Sequence, residues 1–137
     1  MAQSNSGGNN YFHANKITLG SPAKIVGLHI YCYAIGTTFQ MAVYDDNAGS
    51  PNNRMTVSNV QVTGLGWNNV PVPGTATLPA GTYWIAFAAS NMQVGYNGGV
   101  ASNTGCFSWT QDVSDPAPAL GGPLNGNIFS MYADTCP

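Results

Sequence analysis

Apolar residues in this chain recur at every second position over short runs, and Gly, Pro and Asn cut the runs apart. Leu28, Ile30 and Cys32 alternate with His29, Tyr31 and Tyr33, and Phe39, Met41 and Val43 alternate with Gln40, Ala42 and Tyr44. A period of two sends successive side chains to opposite faces of a strand. The pattern predicts a first strand through Ile17 and Leu19 up to the turn Gly20-Ser21-Pro22, and a second over 25–34. A third starts at Phe39, and a fourth and fifth cover 55–62 and 67–72. Residues 82–88 are the most apolar, with Tyr83, Ile85 and Phe87 on one face and Trp84, Ala86 and Ala88 on the other. Weaker strands are expected at 92–96, 105–109 and 128–133. No stretch carries the 3.6-residue period of an amphipathic helix.

Short alternating strands with turn signals about every 8–12 residues predict an all-β fold. The expected architecture is a single antiparallel β-sandwich, jelly-roll-like, of roughly eight or nine strands. It occupies residues 11–137, preceded by a polar arm at 1–10 (MAQSNSGGNN). That arm is too polar to pack in a core, and a neighbouring subunit is the surface expected to order it. Residues 112–126 (DVSDPAPALGGPLNG) hold three prolines and three glycines, which rules out a central strand. A loop of this length predicts a role in binding or assembly.

Composition narrows the function classes. Charged residues are only 6% of the 137, with no glutamate at all. The acids are Asp45, Asp46, Asp112, Asp115 and Asp134, the bases Lys16, Lys24 and Arg54, and the net charge is −2. Three dispersed cations cannot line a phosphate backbone, so no nucleic-acid partner is expected. No apolar run approaches the ~20 residues that span a bilayer, so no membrane partner is expected. The first ten residues lack the apolar core of a signal peptide, and the expectation is either a protein that needs none or one in which an introduced Met has replaced it. A surface built from Asn, Gly, Ser and Thr resists self-association poorly, which fits repeated contacts between copies.

Candidate chemistry is sparse. Asp45, Asp46 and Asn47 offer oxygen ligands of the kind calcium takes, but without the EF-hand spacing, and turn capping accounts for the same residues. Asn52, Asn53 and Arg54 read as a continuation of that loop. Cys32 alternates into a strand as a buried thiol, whereas Cys106 and Cys136 lie in turn-rich sequence where they could pair. His13 and His29 belong to no nucleophile–base motif. Neither an enzyme nor a cofactor is expected. Seven Tyr, three Trp and five Phe set among Asn and Gln could form a sugar-stacking platform, the one substantial candidate site, although a core or interface role for these rings is favoured over it. Tyr31, Tyr33, Tyr96 and Trp109 lie in the less apolar strands and are its expected members. Tyr83 and Trp84 are expected in the core, and Trp67, after Gly-Leu-Gly, at an end of the sandwich.

The run AVYDDNAGSPNNRM, followed by GWNNVPV and TLPAGTYWIAF, resembles a strand-loop-strand module of phage virion proteins (decoration, tail or fibre) and related bacterial surface proteins. YFHANKITLG and NIFSMYAD are similar to its opening and closing strands, so the resemblance covers most of 11–134. It implies a virion structural accessory that acts by subunit packing, with other virion proteins as partners. The alternative it implies is a carbohydrate-binding or adhesin module, extracellular or at a fibre tip.

Overall fold

The computed structural model describes residues 3–7, 11–74, 76–90, 92–98, 105–108, 112–120, 122–124 and 127–137. These residues form thirteen strands and no helix, in two antiparallel sheets. In the front sheet, β3 (Lys24–Cys32) is flanked by β7 (Gly66–Pro71) and by β13 (Met131–Cys136). Beyond β13, β3 meets β9 (Met92–Gly98), which pairs with β12 (Asn127–Phe129) and with β1 (Gln3–Gly7). Ser130 joins β12 to β13, donating its N–H to the Gly95 carbonyl and accepting from Tyr31 N–H. The back sheet runs β11 (Gly122–Leu124), β10 (Gly105–Ser108), β2 (Tyr11–Leu19), β8 (Gly81–Ala89), β4 (Thr38–Asn47) and β5 (Ser50–Val57). The two-residue β6 (Gln61–Val62) pairs with the start of β4.

The sandwich is the expected fold, with eight of its strands six residues or longer. The alternation explains it. Leu28, Ile30 and Cys32 from β3 meet Met41, Val43, Tyr83, Ile85 and Phe87 from the back sheet in one buried core. Burying such a set stabilises by roughly 1.5–3 kcal/mol per large side chain. Asn15, buried on the inner face of β2, donates through Nδ2 to the Phe129 carbonyl at 2.7 Å and accepts from Phe129 N–H at 3.3 Å. Its amide stands in for a peptide group and ties the two sheets together.

Three expectations need correction. The segment 3–7 is β1, paired along β9 of its own domain from Gln3↔Tyr96 to Gly7↔Met92, so no neighbouring subunit is required to order it. The expected strand at 55–62 is two strands. Ser58 separates them, its Oγ accepting from Met41 N–H at 3.0 Å, so β5 ends at Val57. Asn52, Asn53 and Arg54 belong to β5 rather than to a loop.

The loop after β10 packs on the back sheet. Val113 is buried on the outer face of the back sheet with Phe12, Ala42, Tyr44, Trp84, Ala86 and Ala88, and Ala117 and Leu120 pack beside it. Tyr44 donates its hydroxyl to the Ser114 carbonyl at 2.8 Å, and Arg54 Nη1 donates to the Val113 carbonyl at 2.7 Å. The Ala117 N–H reaches the Asn52 carbonyl at 2.6 Å. This lining explains why β8 is apolar on both faces: each is covered.

Candidate ligand-binding face

The outer face of the front sheet carries no such cover among the described residues. Parity on β3 sends His29 and Tyr31 outward, with Tyr33 following. The register sets Tyr31 opposite Trp67, and His29 between Asn69 on β7 and Tyr132 on β13. The rings then meet in a row. Tyr33 and Tyr31 lie edge to face at 5.2 Å, Tyr31 and Trp67 at 5.4 Å, and Trp67 and Tyr132 at 5.1 Å. Tyr132 lies flat on His29 at 4.2 Å. Trp67 is 46% and Tyr132 44% exposed, so the row presents ring surface to solvent.

The turn before β7 places Trp67. Gly66 has φ +85, a conformation that favours glycine. Asn68 clamps the same turn, accepting from Gly64 N–H at 2.6 Å and donating to the carbonyls of Gly64 at 2.9 Å and Gly66 at 3.0 Å. Trp67 is therefore held on the outer face of the sheet and does not close an end of the sandwich.

One end of the row is polar. His29 Nε2 lies 2.7 Å from Oδ2 of Asp134, and Nδ1 lies 2.7 Å from Oδ1 of Asn69. Stacked under Tyr132 and hemmed by these two, His29 is only 8% exposed despite its outward orientation. A neutral imidazole has one donor and one acceptor nitrogen. Two arrangements satisfy it: an imidazolium donating to both partners, or Nε2–H on Asp134 with the Asn69 amide turned to donate to Nδ1. Beside this cluster is an open depression of about 230 Å³ lined by Val26, Gly27, His29, Asn69, Pro71 and Asp134 among others.

Of the expected platform residues, Tyr31 and Tyr33 are on this face. Tyr96 is not: it shares the inward parity of Met92 and Val94, packs against the core and lies 6.3 Å from the Phe129 ring. Trp109 lies outside the described residues. Trp67, Tyr132, His29, Asn69 and Asp134 were missed as site members. The signal available for the last four was the outward parity of their strands, which says nothing of the partner strand across the sheet.

The other candidate chemistry lies elsewhere. Asp45 accepts from Asn53 N–H at 2.6 Å and Nδ2 at 2.9 Å. Asp46 accepts from Gly49 N–H at 3.1 Å and from the indole N–H of buried Trp84 at 2.8 Å, while Lys16 Nζ stands 5.0 Å over the same indole. Asn47 is the last residue of β4 and pairs with Ser50 across the turn. Hairpin and core anchoring thus engage both carboxylates. Cys32 is buried, and desolvation pushes its thiol up to about 12, so little of the nucleophilic thiolate forms. Cys136 carries a free thiol at the end of β13, so the expected Cys106–Cys136 pair is not formed. Its candidate partner Cys106 stands in β10 of the opposite sheet, and the Cys106 side chain lies outside the described residues.

No protein-family model matches the chain, and no curated protein does either. Among solved structures, the fold is similar to part of the cysteine protease and lectin-like domains of a surface-layer-associated protein of Clostridium difficile. The TM-score is 0.66 at 15% identity, over 93% of this chain and 32% of that one. The likeness is one of fold: a β-sandwich occurring within a bacterial surface protein.

Proposed function

We propose that this domain is a carbohydrate-binding module that acts outside the cell, without catalysis, through the outer face of its front sheet. One observation carries the reading. The two outer faces are treated oppositely: the back one is covered by Val113, Ala117 and Leu120, while the front one leaves a contiguous row of Tyr and Trp rings open. Contiguous exposed ring surface of this kind marks an interaction site. Rings of this kind offer apolar faces to the C–H side of a pyranose, and the Asn69 and Asp134 rim offers partners to its hydroxyls. That the similar surface-layer protein includes a lectin-like domain supports the same reading by analogy of fold.

The virion-accessory reading retains the charge-poor surface as support. It loses the arm, which pairs within its own domain.

A glycan array with the wild-type protein, Trp67→Ala and Tyr31→Ala is the test. Binding to a restricted set of glycans that both substitutions abolish is the expected outcome. An array on which the wild-type protein binds nothing, or binds equally well without Trp67, would remove the proposal and leave assembly as the better reading.

A further inference from the structure

The depression beside His29 has features that a stacking platform alone does not need, and we infer that it is a subsite for adjacent hydroxyls of an uncharged pyranose. The inference rests on the carbohydrate reading and specifies which sugars the face takes. Asp134 uses Oδ2 on His29, and Oδ1 has no partner among the described residues. Asn69 uses one end of its amide on His29, and the other end has no partner among the described residues. In either protonation arrangement of His29 the pair thus presents a carboxylate oxygen and one end of an amide to the same depression. Two neighbouring hydroxyls, each both donor and acceptor, satisfy such a pair.

Gly27 completes the subsite. Its backbone lies outside the left-handed region, so no backbone conformation there demands glycine. A Cβ at this position would stand 3.6 Å from Asp134 Oδ2 and 3.7 Å from His29 Nε2, an ordinary contact that occupies the depression. The absent side chain is what keeps the His29–Asp134 pair open to a ligand.

Charge sets the selectivity. None of the three Lys or Arg residues lines the depression. On the back sheet Lys16 stands over Trp84 and Arg54 bonds the Val113 carbonyl, while exposed Lys24, at the start of β3 in the front sheet, lies outside the lining. A carboxylated sugar would bring its negative charge to Asp134 with no Lys or Arg lining the depression to offset it, whereas a neutral sugar donates a charge-assisted hydrogen bond.

The experiment titrates trimers of glucose and of galactose, and the matching glucuronate and galacturonate trimers, into wild type, Trp67→Ala, Asp134→Asn and Gly27→Val, with fold checked by NMR. Neutral trimers should bind in a Trp67-dependent way and move the Asn69 side-chain amide signal. Asp134→Asn should weaken them about tenfold, the difference between a charge-assisted and a neutral bond, and Gly27→Val should weaken them by filling the depression. Uronates should bind at least about tenfold more weakly than neutral trimers to wild type, and Asp134→Asn should narrow that gap. Trp67-dependent binding that ignores Asp134→Asn and Gly27→Val, or that takes uronates equally, overturns the subsite and leaves the platform standing. Absence of Trp67-dependent binding in every trimer and on the glycan array overturns both.

Discussion

His29 lies flat beneath Tyr132, with ring planes 6° apart and centroids 4.2 Å from each other. The stack joins β3 to β13 on the outer face and shields an imidazole that strand parity alone would leave in water. Its two flanking hydrogen bonds then fix the ring edge-on between Asn69 and Asp134.

Tyr132→Ala should therefore act on stability as well as on the binding face. Removing a stacked ring forfeits about 1 kcal/mol beyond its buried area. Urea unfolding measures the loss, and the His29 imidazole NMR signals should shift toward those of an exposed ring. Unchanged midpoint and signals would mean the stack positions nothing.

Asp46 and Asp45 are neighbours with unequal roles. Asp46 accepts from the indole of Trp84, which is 1% exposed, and Asp46→Ala leaves that buried donor without its partner. The expected cost is about 1–3 kcal/mol. Asp45 bonds only within exposed hairpin sequence, so Asp45→Ala should cost under about 1 kcal/mol. Equal effects in chemical denaturation would contradict the anchoring role given to Asp46.

His13 gives the fold a pH dependence of defined sign. It is buried beside Phe87 and Phe129, and desolvation lowers its pKa from 6.5 to about 4. Above 6.5 the ring is neutral in both folded and unfolded chains, so it contributes no slope. Between 6.5 and about 4 the unfolded chain takes up a proton that the folded one does not, and stability falls with pH by ~3 kcal/mol from this group. Below about 4 the slope vanishes again. His13→Leu should flatten that window in urea midpoints measured from pH 7 to 4, and an identical slope in the variant would refute the assignment.

The turn joining β4 to β5 holds a strained residue. Ala48 has φ 53 and Gly49 φ 85, the double positive-φ conformation of a tight two-residue hairpin turn. A side chain in that region costs on the order of 1 kcal/mol, so Ala48→Gly should raise the thermal midpoint despite the entropy lost with glycine. A lower midpoint would show that the turn carries no strain.

Local pattern made the strands legible and left the site half hidden. Trp84 and Tyr83 fall on opposite buried faces of β8, and the unbroken apolar run there announced burial without saying that 112–120 supplies the second cover. Tyr31 and Tyr33 were readable because their parity opposes that of Leu28 and Ile30. Tyr96 misled because Asn, Gln and Gly around it looked solvent-facing, whereas Met92 and Val94 fix its parity inward. Tyr132 and Asp134 reach His29 only through the β3–β13 register, a long-range pairing that no window of sequence contains. Trp67 needed the Asn68 clamp, which depends on the turn already being formed.

β1 occupies one edge of β9 with its backbone. An uncovered strand edge presents a row of unpaired N–H and C=O groups to any other chain. With only 6% charged residues, the surface offers little repulsion to stop such pairing. Deleting residues 1–7 should therefore convert β9 into a template for self-association, seen by light scattering as a concentration-dependent rise in mass. Adding a peptide of the sequence QSNSG should suppress that rise if β1 acts by covering the edge. A truncated chain with the same mass as the full one at every concentration would show that β9 needs no cover.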